Sequence, residues 1–191
     1  YEMQRSLVGS EMCIRDSAVA DGAGSAPYSR EGSRIACNVA VEHCKEQLAD
    51  SENFDDDINL YHLDQKSEAA GKAISADIYK IVGNAAFKAH KAIAAEAQPK
   101  GRKTKEYSTT LLLAICKKYD FGWFVASFWV GDGAICLYNQ DNETAMMLGM
   151  PDEGEYAGQT RFLTMPEIFS DSNKFYQRMN CRIAPDFTAL F

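Results

Sequence analysis

Three β-rich runs separated by short turns constrain the fold of this 191-residue chain more than any other feature. They span residues 108–117, 123–130 and 134–138. The turns at 118–122 and 131–133 are short, which predicts antiparallel neighbours in a meander. The eight residues 123–130 would extend about 26 Å, and their near-continuous apolarity predicts that both faces of the sheet are covered. We therefore expect a sheet that is buried between two other layers.

Helical and further β-rich segments flank these runs. Apolar residues recur at helical spacing from Ile35 to Leu48, after an N-cap at Ser29, and again from Ile74 to Ile93. The acidic run at 50–57 is expected to be a solvated approach to the second helix. Further strands are expected at 18–20, 144–148, 159–163 and 182–191, with a short turn or helix at 166–169. No boundary divides residues 18–191, so the pattern predicts one α+β domain.

Composition excludes several classes of protein. The longest apolar runs, 111–116 and 124–130, are far below the ~18 residues of a membrane span, so no membrane segment is expected. A net charge of −7 argues against nucleic acid as a partner. The six cysteines form no Cys-x-x-Cys pair, which predicts buried, inert thiols in a reduced, cytoplasmic setting.

The ends of the chain suggest a piece of a longer protein. The last residues, 186–191, are an apolar run that resembles an unfinished strand. At the other end, residues 1–17 have no sustained periodicity, and residues 6–17 resemble a translated library-adaptor sequence. We expect residues 1–17 to be non-native and residues 18–191 to be a partial domain.

Two aspartates stand where an apolar strand ends beside glycine. Asp21 precedes Gly22, and Asp132 lies between Gly131 and Gly133. A carboxylate at such a position offers a hard oxygen ligand, and glycine lets the neighbouring backbone carbonyl approach the same cation. Asp-Gly is also common in hairpin turns, so the local pattern alone leaves a metal site and a plain turn equally open.

Other site chemistries find little support. The three histidines show no zinc-binding spacing, and no cysteine begins a Cys-x5-Arg phosphate loop. Serine-hydrolase and P-loop motifs are absent, since Gly71-Lys72 is followed by Ala73. Four cationic residues crowd into 100–105, where either a mobile solvated loop or a contact with a phosphorylated partner is open.

Five short motifs occur in a fixed order along the chain. They are V-A-D-G-A-G-S-A at 19–26, S-x-x-G at 29–32, S-T-T-L at 108–111, V-G-D-G at 130–133, and G-E-Y-A at 154–157 with T-x-F-L-T at 160–164. This order resembles the metal-dependent protein serine/threonine phosphatases of type 2C, and within them the bacterial-type branch. The resemblance covers nearly all of residues 18–191 and implies two antiparallel β-sheets packed as a sandwich flanked by helices.

The resemblance also implies a function and a site. The complete enzyme would hydrolyse phosphoserine and phosphothreonine on protein substrates with two Mn²⁺ or Mg²⁺ ions, and a third ion could bind nearby. By this match Asp21 bridges the ions, Gly22 offers its carbonyl oxygen and Asp132 lies near the third position. Two such ions acidify a shared water and clamp the phosphoryl oxygens. The Ser108-Thr109-Thr110 motif is expected to support the sheet rather than to catalyse.

The family pattern also requires residues that this sequence lacks. It needs an acidic residue and a phosphate-binding Arg upstream of Asp21, and we assign neither role to Arg15 or Asp16. It further needs acidic residues expected beyond Phe191. One bridging carboxylate holds two divalent ions poorly, so we expect this 191-residue chain to bind Mn²⁺ weakly and to turn over little phosphate.

Two alternatives to the phosphatase remain open. One is a catalytically dead phosphatase-like module that binds a phosphoprotein or partner domain. The other is a structural α+β domain whose Asp-Gly turns are incidental.

Overall fold

The computed structural model describes residues 4–9, 14–49, 52–63, 68–152 and 160–191. Its strands are β1 (Gln4–Gly9), β2 (Ile14–Ala20), β3 (Leu111–Tyr119), β4 (Gly122–Val130), β5 (Ile135–Asn139), β6 (Thr144–Gly149), β7 (Met179–Ala184) and β8 (Ala189–Leu190). Its α-helices are α1 (Ser29–Ala49), α2 (Glu52–Leu63), α3 (Glu68–Ile78), α4 (Asn84–Ala97), α5 (Glu167–Ser170) and α6 (Ser172–Tyr176). A π-helical turn, Tyr79–Gly83, joins α3 to α4, and 3₁₀ turns lie at Gln98–Lys100 and Thr104–Tyr107.

Within the described residues the strands form two antiparallel sheets. The large sheet has the order β1-β2-β3-β4-β7, and the small sheet has the order β6-β5-β8. A tight hairpin joins β3 to β4, with Tyr119 opposite Gly122 and Leu111 opposite Val130. The predicted α+β sandwich of two antiparallel sheets with helices is confirmed.

Both faces of the large sheet are buried, as the apolarity of β4 predicts. One face packs against the small sheet through a cluster that includes Val125, Leu137 and Leu148. The opposite face packs against helices through a larger cluster that includes Leu113 and Phe128. Because side chains alternate along a strand, a strand buried on both faces must be apolar at nearly every position.

Helix α1 lies close against the large sheet because its inward face is made of small residues. Ala36 and Ala40 are fully buried there, and so are Ala18 and Ala20 on β2. Gly32 allows the closest contact, since a Cβ at this position would lie 2.1 Å from the carbonyl oxygen of Tyr107. This contact fixes the first turns of α1 over the segment that leads into β3.

The helical predictions hold apart from the acidic run. The residues predicted for the first helix lie in α1, and those from Ile74 to Ile93 lie in the helical run formed by α3, the π-helical turn and α4. The acidic run is not a solvated approach, because its described residues, 52–57, are the start of α2. Acidic residues are favoured there by the positive end of the helix dipole.

The predicted meander is only partly correct. β3 and β4 pair as expected, but β5 belongs to the small sheet and not to the edge of β4. Gly131, with φ of 123°, redirects the chain after β4. The vacant edge of β4 is taken by β7, with Phe128 opposite Met179. β7, which is distant from β4 in the sequence, thus occupies the position beside β4 that the meander predicted for β5.

Two further strand predictions are wrong. The described residues 160–163 form no strand, and the Leu163 amide instead donates to the Thr109 carbonyl at 2.8 Å. The predicted strand at 182–191 is two strands in different sheets, β7 and β8, interrupted around Pro185. Proline lacks the amide that a continuous ladder requires.

The described residues of the segment 1–17, which are 4–9 and 14–17, contribute to the large sheet. β2 begins at Ile14 and pairs with β3 over six residue pairs, from Ile14–Lys117 to Val19–Leu112. The expectation that this segment is non-native stays a prediction. Among the described helices, none combines the length and apolarity of a membrane span.

Candidate functional site

Three strand ends meet at one edge of the large sheet. β2 ends at Ala20, and β3 begins at Leu111 opposite Val130, where β4 ends. Asp21 follows the first of these strands, and Asp132 follows the last, with both residues exposed. β2 and β4 flank β3 at about 4.8 Å per strand, so the two aspartate backbones are on the order of 10 Å apart. The fold therefore brings both predicted aspartates to one edge, called here the aspartate edge.

The backbone of Asp21 is held firmly at the start of β3. Its amide donates to Thr110 Oγ1 at 2.9 Å, and its carbonyl accepts from the Thr110 amide at 2.9 Å. The Thr109 hydroxyl donates to the same carbonyl at 3.1 Å. The Ala23 amide then donates to the Ser108 carbonyl at 2.9 Å. With its backbone fixed, the Asp21 carboxylate projects from a rigid position.

Gly22 has a carbonyl that the ladder with β3 does not use. That ladder takes the carbonyl of Asp21 and the amide of Ala23, and backbone groups alternate in direction along an extended chain. The Gly22 carbonyl therefore points away from β3. Glycine is required here because a Cβ would lie 2.8 Å from the Cβ of Ser29, the first residue of α1.

Contacts between hydroxyl groups connect the aspartate edge to neighbouring elements. Ser33 Oγ lies 2.8 Å from Thr109 Oγ1 and 3.0 Å from the Ser29 carbonyl oxygen, and the hydrogen bond between the two hydroxyls ties α1 to β3. Ser108 Oγ lies 3.0 Å from Thr164 Oγ1. These contacts agree with a supporting role for the Ser108-Thr109-Thr110 motif, because its hydroxyls bind backbone and neighbouring hydroxyl groups.

Asp132 follows a turn that only glycine can make. Gly131 has φ of 123°, and a Cβ there would lie 2.5 Å from the Thr110 methyl group. Thr110 therefore contacts both Asp21 and the turn that precedes Asp132. The Thr160 hydroxyl donates to Asp132 Oδ2 at 3.3 Å.

The structure adds a buried ion pair that the sequence did not indicate. Arg178 Nη1 lies 2.6 Å from both carboxylate oxygens of Asp152, with only 8% and 11% of the two side chains exposed. Asp152 in turn contacts the Gly131 backbone. The partners are 26 residues apart and carry no motif, so sequence pattern alone could not pair them.

The donor atoms at the aspartate edge fit only part of a metal site. Carboxylate oxygens from Asp21 and Asp132 and the Gly22 carbonyl are the hard ligands that Mg²⁺ and Mn²⁺ prefer. Over the described residues, however, no group of three or more His, Cys, Asp or Glu side chains is arranged to hold an ion. These donors therefore do not make a complete two-ion site by themselves.

Burial suppresses the ionisation of the Cys37, Cys44 and Cys181 thiols. Cys37, Cys44 and Cys116 are buried. Burial raises the pKa of Cys37 to about 12, and it also raises the pKa of Cys44 and Cys181. The prediction of buried thiols is confirmed for Cys37, Cys44 and Cys116 but is wrong for Cys136 and Cys181, which are only partly buried, while Cys13 lies outside the described residues. A raised pKa keeps a thiol protonated and unreactive near neutral pH.

His43 is buried in α1 and has a structural role. Lys88 Nζ donates to its Nδ1 at 2.8 Å, which leaves Nε2 to donate to the Lys80 carbonyl at 3.4 Å. Burial lowers the pKa of His43, so the ring is neutral at physiological pH.

The cationic segment 100–105 is anchored at two of its residues. The Arg102 guanidinium lies 3.6 Å from the centre of the Tyr28 ring and donates to the Tyr107 hydroxyl at 3.0 Å. Lys100 pairs with Glu96 and lies 3.5 Å from Glu31. These contacts attach two of the four cationic residues to neighbouring elements, and a contact of this segment with a phosphorylated partner stays a prediction.

A family model decides the classification of the chain. The model for protein phosphatase 2C matches residues 8–184. The chain belongs to the protein phosphatase 2C family. Members of this family are metal-dependent phosphatases and therefore hydrolases. The match confirms the resemblance to type 2C phosphatases that the motifs indicated. The match begins at residue 8, inside the segment 1–17 that the sequence analysis set apart.

One solved structure supports the fold of this phosphatase 2C chain. It is a stage II sporulation E family protein from Thermanaerovibrio acidaminovorans, with a TM-score of 0.50 and 15% sequence identity. The similarity covers 97% of this chain and 76% of that chain. At this identity the likeness concerns the fold alone. No curated protein matches the sequence.

Proposed function

We propose that the complete protein hydrolyses phosphoserine and phosphothreonine on protein substrates at the aspartate edge. The observation that carries this proposal is the convergence of Asp21, Gly22 and Asp132 on one edge of a phosphatase 2C fold. Two of these residues expose carboxylates, and the third directs a carbonyl away from β3. Such an edge attracts divalent cations and, with them, phosphorylated substrates.

Each residue has a distinct part in this proposal. The Asp21 carboxylate and the Gly22 carbonyl oxygen would be ligands of the two ions, and Asp132 would be a ligand at a further position. Bound Mn²⁺ or Mg²⁺ would supply a water acidified near neutral pH and positive charge beside the phosphoryl oxygens. The raised pKa values of Cys37, Cys44 and Cys181 favour water over a protein thiol as the nucleophile.

The 191-residue chain itself is expected to be a weak enzyme. Its described residues contribute only part of the ligands that two ions need. The same observation favours a second candidate, a catalytically inactive phosphatase-like module that binds a phosphoprotein or partner domain. The two candidates predict different results with a phosphopeptide. The phosphatase releases phosphate from it when Mn²⁺ is present, whereas the inactive module binds it without releasing phosphate.

The test is phosphate release from a phosphothreonine peptide by the complete protein across a Mn²⁺ titration. We expect Mn²⁺-dependent release that falls by ~100-fold or more in Asp21→Asn, because the carboxylate that bridges the ions is lost. Asp120→Asn is the matched control, since Asp120 is an exposed carboxylate in the turn at the other end of β3 and β4. It should leave the release unchanged.

Two outcomes would contradict the catalytic proposal. Equal loss in Asp21→Asn and Asp120→Asn would mean that the aspartate edge has no special role. Mn²⁺-independent binding of the phosphopeptide without any phosphate release would favour the inactive module instead.

A further inference from the structure

The buried pair of Arg178 and Asp152 lies directly behind the turn that carries Asp132. Asp152 Oδ2 accepts from the Gly131 amide at 2.9 Å, and the Asp152 amide donates to the Gly131 carbonyl at 2.8 Å. Both backbone polar groups of Gly131 are thus bound by one residue. The Asp132 peptide follows at once, so its direction depends on this contact.

Arg178 fixes Asp152 and also contacts β4. Its Nη1 binds both carboxylate oxygens at 2.6 Å and lies 3.4 Å from the Trp129 carbonyl. The Trp129 amide donates to the Arg178 carbonyl at 3.1 Å. Arg178 therefore joins the last part of β4 to the residue that holds Gly131. The contacts run in sequence from Arg178 to Asp152, Gly131 and Asp132.

A stability role alone accounts poorly for this arrangement. Taking two charges out of water is costly, and apolar side chains of similar volume often stabilise a core as well or better. What apolar side chains cannot supply is a carboxylate acceptor for the Gly131 amide. That amide needs a fixed partner because Gly131 has φ of 123° and approaches the Thr110 methyl group closely.

We propose that Arg178 and Asp152 are positioning residues that hold the Gly131–Asp132 peptide, and with it the Asp132 carboxylate, at the aspartate edge. The inference rests on the proposed function, in which Asp132 acts together with Asp21. Neither positioning residue contacts substrate in this account. Each acts through the backbone of Gly131.

The test compares Arg178→Met with the unmutated chain by nuclear magnetic resonance. Amide hydrogen exchange reports on the hydrogen bond at Gly131, and a titration with diamagnetic Mg²⁺ shifts the amide resonances of residues close to a bound ion, even when binding is weak. We expect Gly131 exchange to be at least ~10-fold faster in Arg178→Met, because Asp152 is then no longer held. The shift caused by Mg²⁺ should persist at Asp21 and be lost at Asp132.

Ile93→Ala is the control for general destabilisation, because Ile93 is fully buried on α4 in the helix-side core. It should not accelerate Gly131 more than its neighbours on β4. Arg178→Lys keeps the positive charge and should restore part of the protection at Gly131. If the methionine variant does not fold, Arg178→Lys still tests the contact, because a lysine ammonium does not reproduce the guanidinium contact with both carboxylate oxygens of Asp152 and should leave Gly131 exchange faster than in the unmutated chain.

The outcomes separate this inference from the proposed function. Unchanged exchange at Gly131 in Arg178→Met, or equal acceleration in Ile93→Ala, would overturn the positioning role. Absence of a Mg²⁺-induced shift at both Asp21 and Asp132 in the unmutated chain, at saturating Mg²⁺, would count against the proposed function. In that case the Gly131 exchange rates still decide whether the ion pair holds the turn.

Discussion

Asp16 is a buried carboxylate whose replacement by valine should stabilise the protein. It lies on β2 with 5% of its surface exposed, between Val8 on β1 and Ile115 on β3. Its Oδ2 atom is buried and has no hydrogen-bond partner. The next inward residues of β2, Ala18 and Ala20, are apolar and fully buried. A valine at position 16 would continue that apolar face.

The expected gain has two parts. Relief of a buried acceptor without a partner contributes about 1–3 kcal/mol. Burial of a valine side chain contributes about 1.5 kcal/mol or more. Allowing for imperfect packing, we expect the free energy of unfolding to rise by roughly 2–4 kcal/mol. For a chain of this length that corresponds to roughly 5–15 °C in Tm.

The gain should depend on pH. Burial raises the pKa of Asp16, with Glu42 adding to the shift and Lys45 opposing it. Where the folded pKa is raised, stability is present below the unfolded value of 3.8 and is lost as pH rises through the folded pKa. Asp16→Val has no such group, so its advantage over the unmutated protein should be larger at about pH 7 than at about pH 4.

Urea unfolding at both pH values measures the effect, with two control variants. Asp16→Asn removes the charge but not the polarity, so it should lose the pH dependence and gain less stability. Ser17→Val adds an apolar side chain to the opposite face of β2 and should show no pH-dependent gain. A lower unfolding free energy for Asp16→Val, or an equal difference at the two pH values, would refute the reasoning. The expectation that residues 1–17 are non-native also predicts that Asp16→Val is stabilising. A segment that was not selected to pack in this core can place a carboxylate in it.

Three further substitutions test other contacts. Because burial lowers the pKa of His43, stability should fall as pH drops below the unfolded value of 6.5, and His43→Gln should flatten this dependence in urea unfolding. Gly32→Ala places a Cβ 2.1 Å from the Tyr107 carbonyl oxygen and should lower the free energy of unfolding by about 2 kcal/mol or more, measured as a lower Tm. An unchanged Tm would show that α1 can move away from Tyr107. Thr110→Val keeps the shape but removes the acceptor for the Asp21 amide, so it should cost about 1–2 kcal/mol and speed hydrogen exchange at that amide, whereas unchanged exchange would contradict the contact.

Local pattern predicted much of the secondary structure. The apolar run of β4 predicted a strand buried on both faces, and the spacing of apolar residues predicted α1. The short turn between β3 and β4 predicted their antiparallel pairing. These features depend on residues close together in the chain, where periodicity and turn chemistry act directly.

The sequence was enough to predict which residues belong to the candidate site, but not how they are arranged in space. Asp21, Gly22 and Asp132 stand out because an acidic residue beside glycine follows an apolar strand. Nothing in the sequence places Asp21 near Asp132. That proximity depends on the register of β2, β3 and β4, which brings Asp21 to Thr110, 89 residues later in the chain. The ligand roles of these residues stay predictions.

By itself the sequence determined the strands that must be buried, the principal helices and the family of the chain. Only the tertiary structure decided that β7 takes the edge of β4, that β5 joins the small sheet and that Asp152 pairs with Arg178. The physical reason is that a strand edge or a buried charge can be satisfied by any partner of the right chemistry. Which partner reaches it depends on the packing of the whole chain and on the requirement that buried polar groups find hydrogen bonds.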